Sequence, residues 1–469
     1  MGTREYSFSW PTELHRRLIE RASTVRWVSA LVVGASVPLI GFTPFNHASD
    51  VLGVESYPWR VVVFPATLLT ALSIGAALVV PRVPSVRLPR WLVAGWSLLL
   101  IGALLSLIDS DDVTRTLLLI YLAIVLPGAF VVSLNRSRLS AEPMVLAFLV
   151  VTSVLLLRAD FVFFADYGFP EPSELFFAKF ANAPYDFHYY ALQNPGQTAA
   201  FLFLPLTLSW FCVSRPGLSK AARLVALTAG VVCFATMILL YLRHAILIAT
   251  VVVCVAILLT RINGSVRVAG VAVTVAVSAL AMFGTGDARR YAGAINDLSP
   301  AKSSFGANSS AGTEEPSASV RLRSMAEGFK EFARHPVTGT GFGRYSGPDG
   351  NLPAHSSLPQ AAAEMGVLGL AGAAILTAGL IGAAFRRLRS GALGGVAAAA
   401  TFAGAVFALD LAVAGGANVG LSNDYVTVWG MSAALVLTIA LSEPQAGSGE
   451  PARIGVAGST SSLRSLGGG

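Results

Sequence analysis

Charge is what this sequence lacks most. Only 13% of its 469 residues are charged, against roughly 25% in ordinary soluble domains. Beside 54% hydrophobic residues, that deficit excludes a disordered chain, and one soluble core cannot absorb so much apolar sequence. Cysteine is nearly as scarce. Cys212, Cys233 and Cys254 are the only three, and all lie in apolar runs. No CxxC or Cys/His ligand spacing exists, which excludes a disulfide framework and leaves three small buried hydrophobes. Also missing are an internal repeat, a soluble catalytic domain, and a small-residue cleavage site behind the first apolar run, so no removable signal is expected. The net charge of +7 would suit nucleic acid, but the placement of the basic residues argues for a membrane and against a nucleic-acid partner.

What the sequence has in abundance is apolar runs of membrane-spanning length. Mean hydropathy is +0.66, and a bilayer core needs roughly 20 apolar residues per helix. The expected fold is all-α: a polytopic membrane helix bundle of about twelve transmembrane spans, with a long helical external loop between spans 9 and 10. The spans fall near 27–45, 60–80, 91–108, 116–134, 143–164, 198–213, 221–241, 244–260, 266–284, 358–385, 394–415 and 425–441. Basic residues collect in alternate short segments: Arg4 to Arg26, Arg82 to Arg90, Arg136 and Arg138, Arg215 to Arg223, Arg261 and Arg267, and Arg386 to Arg389. Counted as the inner side, they put both termini in the cytoplasm and the long loops outside the cytoplasmic (inner) membrane.

The resulting organisation is a cytoplasmic segment 1–26, spans 1–9 over 27–284, an external loop 285–357, spans 10–12 over 358–441, and a Gly/Ser-rich, disordered cytoplasmic tail 442–469. A second external loop, 165–197, is rich in Phe and Tyr, which suit headgroup level or stacking on sugar rings. Within the 285–357 loop, residues 320–334 read as an amphipathic helix. Leu322, Met325, Ala326, Phe329, Phe332 and Ala333 fall on one face, and Arg323, Glu327, Lys330, Glu331 and Arg334 on the other. Ser319 is the expected cap and Pro336 the stop. The apolar face would meet either lipid or the bundle.

Several residues stand out chemically. Arg243 sits in the short turn between spans 7 and 8, where a guanidinium faces a cavity or an anion, or else snorkels to headgroups. Its fork of donors suits phosphate. A second cluster runs His335-Pro336-Val337-Thr338-Gly339-Thr340-Gly341-Phe342-Gly343. Its alternating glycines permit tight turns and close backbone approach to a ligand, but match neither a Walker A loop nor a dinucleotide fingerprint. His355 lies just before span 10, where Ser356 or Ser357 can cap and Pro359 fits an early helical position. Its imidazole can take a proton near neutral pH. Gln360 and Glu364 share a face one turn apart at the outer end of that span, as a functional pair or a packing hydrogen bond. Asp410 invites the same choice, with packing favoured.

The stretch from Leu224 to Leu370 resembles the O-antigen ligase and O-antigen polymerase family of membrane glycosyltransferases. The resemblance rests on the Arg-bearing turn, the loop helix opening with Arg, His-Pro-x-x-Gly-x-Gly-x-Gly, Ala354-His355, and Glu-x-Gly-x-x-Gly-Leu from Glu364. It implies a polyprenyl-diphosphate-linked glycan donor and a glycan or glycolipid acceptor, met at the membrane lipid surface without a cofactor or metal. By the same resemblance, Arg243 and Arg321 would bind the donor diphosphate, with Arg323 a rival to Arg321 within the same turn. His355 would be the general base and Glu364 would sit beside it. Ser356 stands where the family often has Asn. Apart from the resemblance, attack of a sugar hydroxyl on an anomeric carbon needs a base and a stabilised leaving diphosphate, which a histidine and fixed guanidiniums supply. Two alternatives are a metal-dependent enzyme using polyprenyl-monophosphate sugars through Asp109, Asp111 and Asp112, and a transporter or flippase. The aspartates are otherwise read as a solvated loop that caps span 4.

Overall fold

The computed structural model of the chain describes residues 12–42, 64–79, 88–110, 112–137, 139–167, 195–213, 218–239, 243–259, 263–283, 317–347, 354, 356–391, 396–414 and 426–441. Most of the 165–197 loop, the 285–316 part of the long loop, Asp111, His355 and the 442–469 tail lie outside the described residues. Every helix and turn described belongs to an all-helical chain, with no strand among these residues.

The helices are α1 (Thr12–Phe42), α2 (Phe64–Val79), α3 (Arg90–Leu105), α4 (Val113–Ile120), α5 (Leu126–Ser137), α6 (Ala141–Tyr167) and α7 (Pro195–Val213). After them come α8 (Lys220–Leu239), α9 (Arg243–Leu259), α10 (Gly264–Phe283), α11 (Ser317–Arg334), α12 (Ser357–Ser390), α13 (Val396–Leu409) and α14 (Val426–Leu441). Among the described residues, seven helical segments are long and apolar enough to cross a membrane, and five shorter apolar helices accompany them. Large apolar side chains such as Leu72, Val251, Leu258, Val268 and Leu280 remain exposed. Apolar side chains exposed on so many apolar helices belong against lipid, and the chain is a multi-pass membrane protein.

The core lies where α6 and α7 meet their neighbours. Phe148, Leu149, Phe201 and Phe203 are fully buried there, with Cys212 and Cys233. Cys254 is half-buried. With no water in a bilayer, hydroxyls in the spans must find partners within the protein. Thr70, Ser153, Thr401 and Thr438 each donate to the carbonyl four residues back on their own helix. Others join helices: the Thr236 hydroxyl donates to Asp160 at 2.8 Å, tying α8 to α6, and the Thr250 and Ser278 hydroxyls meet at 2.6 Å between α9 and α10.

The helix α12 packs most extensively against α3. At their crossing, a Cβ on Gly102 would lie 3.0 Å from the Gly369 amide nitrogen. Small residues are what let two backbones come that close. Two π turns bracket this region. The first, Tyr121–Val125, joins α4 to α5, and its Ile124 carbonyl accepts from the Trp96 indole of α3 at 3.0 Å. The second, Asp410–Ala414, follows α13. π turns leave carbonyls available to partners outside their own helix.

Candidate functional site

The amphipathic helix α11 starts at Ser317, two residues before the expected cap Ser319, a shift within the usual uncertainty of helix ends. Its closely packed side is not the apolar face seen in the sequence. Ser324 and Gly328 are buried, whereas Leu322 and Phe329 are exposed. Gly328 explains the packing: a Cβ there would stand 3.0 Å from the Ala354 Cβ and 3.1 Å from that of Pro359. The helix therefore lies across the start of α12.

Pro336 cannot continue α11, and the chain turns. The Gly339 amide bonds the His335 carbonyl at 3.0 Å, and the glycine-rich segment then runs beside α12. The Thr340 amide donates to the Ala363 carbonyl at 2.8 Å, and the Gly341 amide to the Glu364 carbonyl at 3.2 Å. In return, the Val367 amide of α12 donates to the Pro336 carbonyl at 2.8 Å. An unbroken helix would have joined Val367 N–H to the Ala363 carbonyl. Both groups have exchanged that bond for one to the loop. The exchange requires a break in α12, which occurs at Gly366, with φ of 65° and ψ of −153°.

Gly339 and Gly366 both have positive φ and no room for a side chain. A Cβ on Gly339 would fall 2.2 Å from the Glu364 carbonyl carbon, and one on Gly366 would fall 2.3 Å from the Val337 oxygen. The close approach expected of the alternating glycines is thus to the protein's own helix. Beyond them, Phe342 is fully buried among Leu99, Ala103, Ile124 and Met365. Its amide donates to the Ser106 hydroxyl at 2.9 Å. The Arg344 guanidinium donates to the Asp109 carbonyl at 2.8 Å, fastening the segment to the short turn Ser106–Asp109 that follows α3.

Gln360 and Glu364 form the polar centre of this arrangement. They are 1% and 0% exposed. The Gln360 amide nitrogen donates to Glu364 Oε1 at 2.6 Å and to the Tyr345 carbonyl at 2.9 Å, while its oxygen accepts from the Ala354 amide at 2.8 Å. One side chain thereby joins α12, the end of the glycine-rich segment, and the residue before His355. On the other side of His355, Ser356 occupies the N-cap position of α12 but makes no side-chain cap bond. Its hydroxyl instead donates to the Ala412 carbonyl in the π turn that opens on Asp410, at 2.6 Å. Pro359 sits in the first turn, where its missing amide proton leaves no bond unmade.

The remaining candidates are placed by their backbones. Arg243 opens α9 and Arg321 lies in the first half of α11; the side chains of both fall outside the described residues. Arg323 is exposed on α11. Of the acidic patch near α4, Asp112 caps that helix, its carboxylate accepting from the Arg115 amide at 2.9 Å. Among the described residues, no group of three His, Cys, Asp or Glu side chains is arranged to hold a metal ion.

A small crevice of about 210 Å³ opens between α11 and the end of the glycine-rich segment. Glu327, Glu331 and Arg334 form one wall, and Thr340, Arg344 and Tyr345 form the other. Glu331 pairs with Arg334 at 2.9 Å and lies 3.6 Å from the His335 imidazole. Burial pushes the Tyr345 hydroxyl up to about 12, with the carboxylates of Glu327 and Glu331 adding to the shift. The phenol is therefore neutral across the physiological range. Tyr345, Arg344 and Ser106 were not legible as site residues in the sequence. Tyr345 follows the glycine run closely, but nothing local marks it as buried.

Residues 228–374 match the family model described as O-antigen ligase. No curated protein matches the chain. The matched stretch runs from within α8 to within α12, and so contains Arg243, the glycine-rich segment, Gln360 and Glu364.

Proposed function

From the assignment of residues 228–374 to the O-antigen ligase family, we propose that this multi-pass membrane protein transfers a glycan from a polyprenyl-diphosphate donor to an acceptor hydroxyl. The reaction takes place at the outer face of the cytoplasmic membrane, with both termini inside and about twelve spans. His355 is the general base: it takes the proton of the acceptor hydroxyl as that oxygen attacks the anomeric carbon. The bond from that carbon to the diphosphate oxygen breaks, and polyprenyl diphosphate leaves as an anion. Direct displacement inverts the anomeric configuration.

Arg243 and an arginine of α11 stabilise the leaving diphosphate. Guanidinium forks match phosphate oxygens and supply fixed positive charge without a metal. Within α11, Arg321 precedes Ser324 by three residues and Gly328 by seven, the helical spacing of those two buried positions, which supports its choice. Arg323 is exposed. The reading therefore favours Arg321 for the diphosphate. Glu364 is a positioning residue: its carboxylate holds Gln360, and Gln360 holds the Ala354 amide next to the base.

The observation that carries the proposal is this buried Gln360–Glu364 pair, which fastens the glycine-rich segment and the chain on the N-terminal side of His355 to one helix. The test is transfer by the full-length His355→Ala variant. Glycan transfer is expected to disappear while thermal unfolding stays at the wild-type temperature. Full activity in a folded variant removes the assigned base.

A further inference from the structure

One side of α11 carries apolar side chains that the bundle leaves uncovered. Leu322, Ala326, Phe329 and Ala333 follow one another at spacings of four, three and four residues, so they form a single stripe along the helix. All four are exposed, Leu322 at 60% and Phe329 at 45%. Val337, just past the end of the helix, is 63% exposed. Half-buried Met325 and Phe332 fill the arc between this stripe and the packed positions Ser324 and Gly328. A lone exposed leucine needs no explanation. An apolar stripe about 16 Å long does.

The level of that stripe follows from what the opposite side of α11 touches. Gly328 packs on Pro359, in the first turn of α12, a helix long and apolar enough to cross a membrane. Pro336 lies eight residues beyond Gly328, and its carbonyl accepts from Val367, eight residues beyond Pro359. The chain from Gly328 to Pro336 therefore accompanies α12 from its first turn into the span. Val367 is itself 49% exposed, and exposed apolar side chains on a spanning helix face lipid. Val337 directly follows the residue bonded to Val367. The stripe thus runs on into the lipid-facing surface of α12, where a closed patch for a protein partner would have ended short of it.

The charged residues agree with this placement. Arg323, Lys330 and Arg334 are exposed along the flank next to the stripe. Glu327 and Glu331 lie farther round and pair with Lys330 and Arg334. An apolar stripe bordered by basic side chains is the arrangement of a helix lying in a membrane interface. Long basic side chains there extend toward the headgroups. We propose that α11 docks on the bilayer itself. Leu322, Ala326, Phe329, Ala333 and Val337 sit among the acyl chains of the leaflet at the start of α12, with phospholipid phosphates beside the basic flank. The docking holds the glycine-rich segment, which follows α11 directly, at the membrane surface.

The test reads depth in the membrane. Full-length protein is placed in nanodiscs of phosphatidylethanolamine and phosphatidylglycerol, in a Cys254→Ala background, since Cys212 and Cys233 are buried. A nitroxide is attached singly at Leu322→Cys, Phe329→Cys, Val337→Cys or Lys330→Cys. The first three labels should relax more readily with oxygen than with a water-soluble nickel chelate, and the Lys330 label should show the reverse. Preference for the chelate at Leu322 and Phe329 would put the stripe in water and overturn the proposal. Protection of both from both reagents would overturn it too, by showing that protein covers the stripe, either another part of this chain or a second copy. Hydrogen exchange gives an independent reading without labels. Leu322→Gln combined with Phe329→Gln keeps helix propensity but removes apolar side chains from lipid. Exchange across 317–334 should then rise roughly tenfold or more, with α13 unchanged; exchange at the wild-type rate would count against docking. Neither readout involves glycan transfer, so the proposal stands or falls apart from the proposed reaction.

Discussion

Replacing Gln360 with leucine should release the glycine-rich segment from α12. The substitution keeps the volume but removes every bond that the side chain makes. Three groups lose one bond each: the Ala354 amide, the Tyr345 carbonyl and the Glu364 carboxylate. A buried polar group without a partner costs about 1–3 kcal/mol, and a charged one more. The three belong to one network, so their losses do not simply add. A net local cost of about 3–5 kcal/mol is reasonable. That cost should appear as faster hydrogen exchange at residues 339–345 and as a near-complete loss of glycan transfer, because the Ala354 amide, next in sequence to the proposed base His355, loses its acceptor. Exchange and transfer both at the wild-type level would refute the reasoning. Gln360→Glu gives a signed control. It keeps an acceptor for Ala354 but sets two carboxylates within hydrogen-bond reach, which one proton must then bridge. Its hydrogen-exchange protection should therefore improve as pH falls, whereas Gln360→Leu should show no such recovery.

Gly366→Ala should be among the most damaging small substitutions in the chain. It places a Cβ at positive φ and 2.3 Å from the Val337 oxygen, at a combined cost of about 2–5 kcal/mol; a wild-type unfolding temperature would contradict the break in α12. Ser106→Ala should leave the buried Phe342 amide without its acceptor and cost about 1–3 kcal/mol, read as a lower unfolding temperature. Asp112→Ala removes a helix cap and should cost about 0.5–2 kcal/mol, with glycan transfer unchanged. Loss of transfer in that folded variant would favour the metal-dependent alternative.

The helices were legible because a backbone in lipid has few choices. An apolar run of spanning length with its amides satisfied internally is a helix, and the run expected at 358–385 is the centre of α12, Ser357–Ser390. The pairing of Gln360 with Glu364 was legible for the same kind of reason, since residues four apart on a helix share a face. What the sequence could not reveal are contacts between distant segments. The break at Gly366 depends on Gly339 approaching from 27 residues away, and Arg344 reaches a carbonyl at Asp109. No local pattern encodes either. The amphipathic helix misleads in a specific way. Its apolar residues Leu322 and Phe329 are exposed, while Ser324 and Gly328 face the bundle. In a membrane protein small residues mark helix contacts, and large apolar ones have lipid as a second destination.

In the proposed reaction a lipid-linked diphosphate is the leaving group. Its most direct measurement incubates the purified full-length protein in nanodiscs with a polyprenyl-diphosphate glycan, an acceptor and excess EDTA, and quantifies both products. Glycosylated acceptor with inverted anomeric configuration should appear together with an equal amount of released polyprenyl diphosphate, and Arg243→Ala should abolish both. Transfer that releases polyprenyl monophosphate, or that stops when EDTA is added, would contradict that reaction.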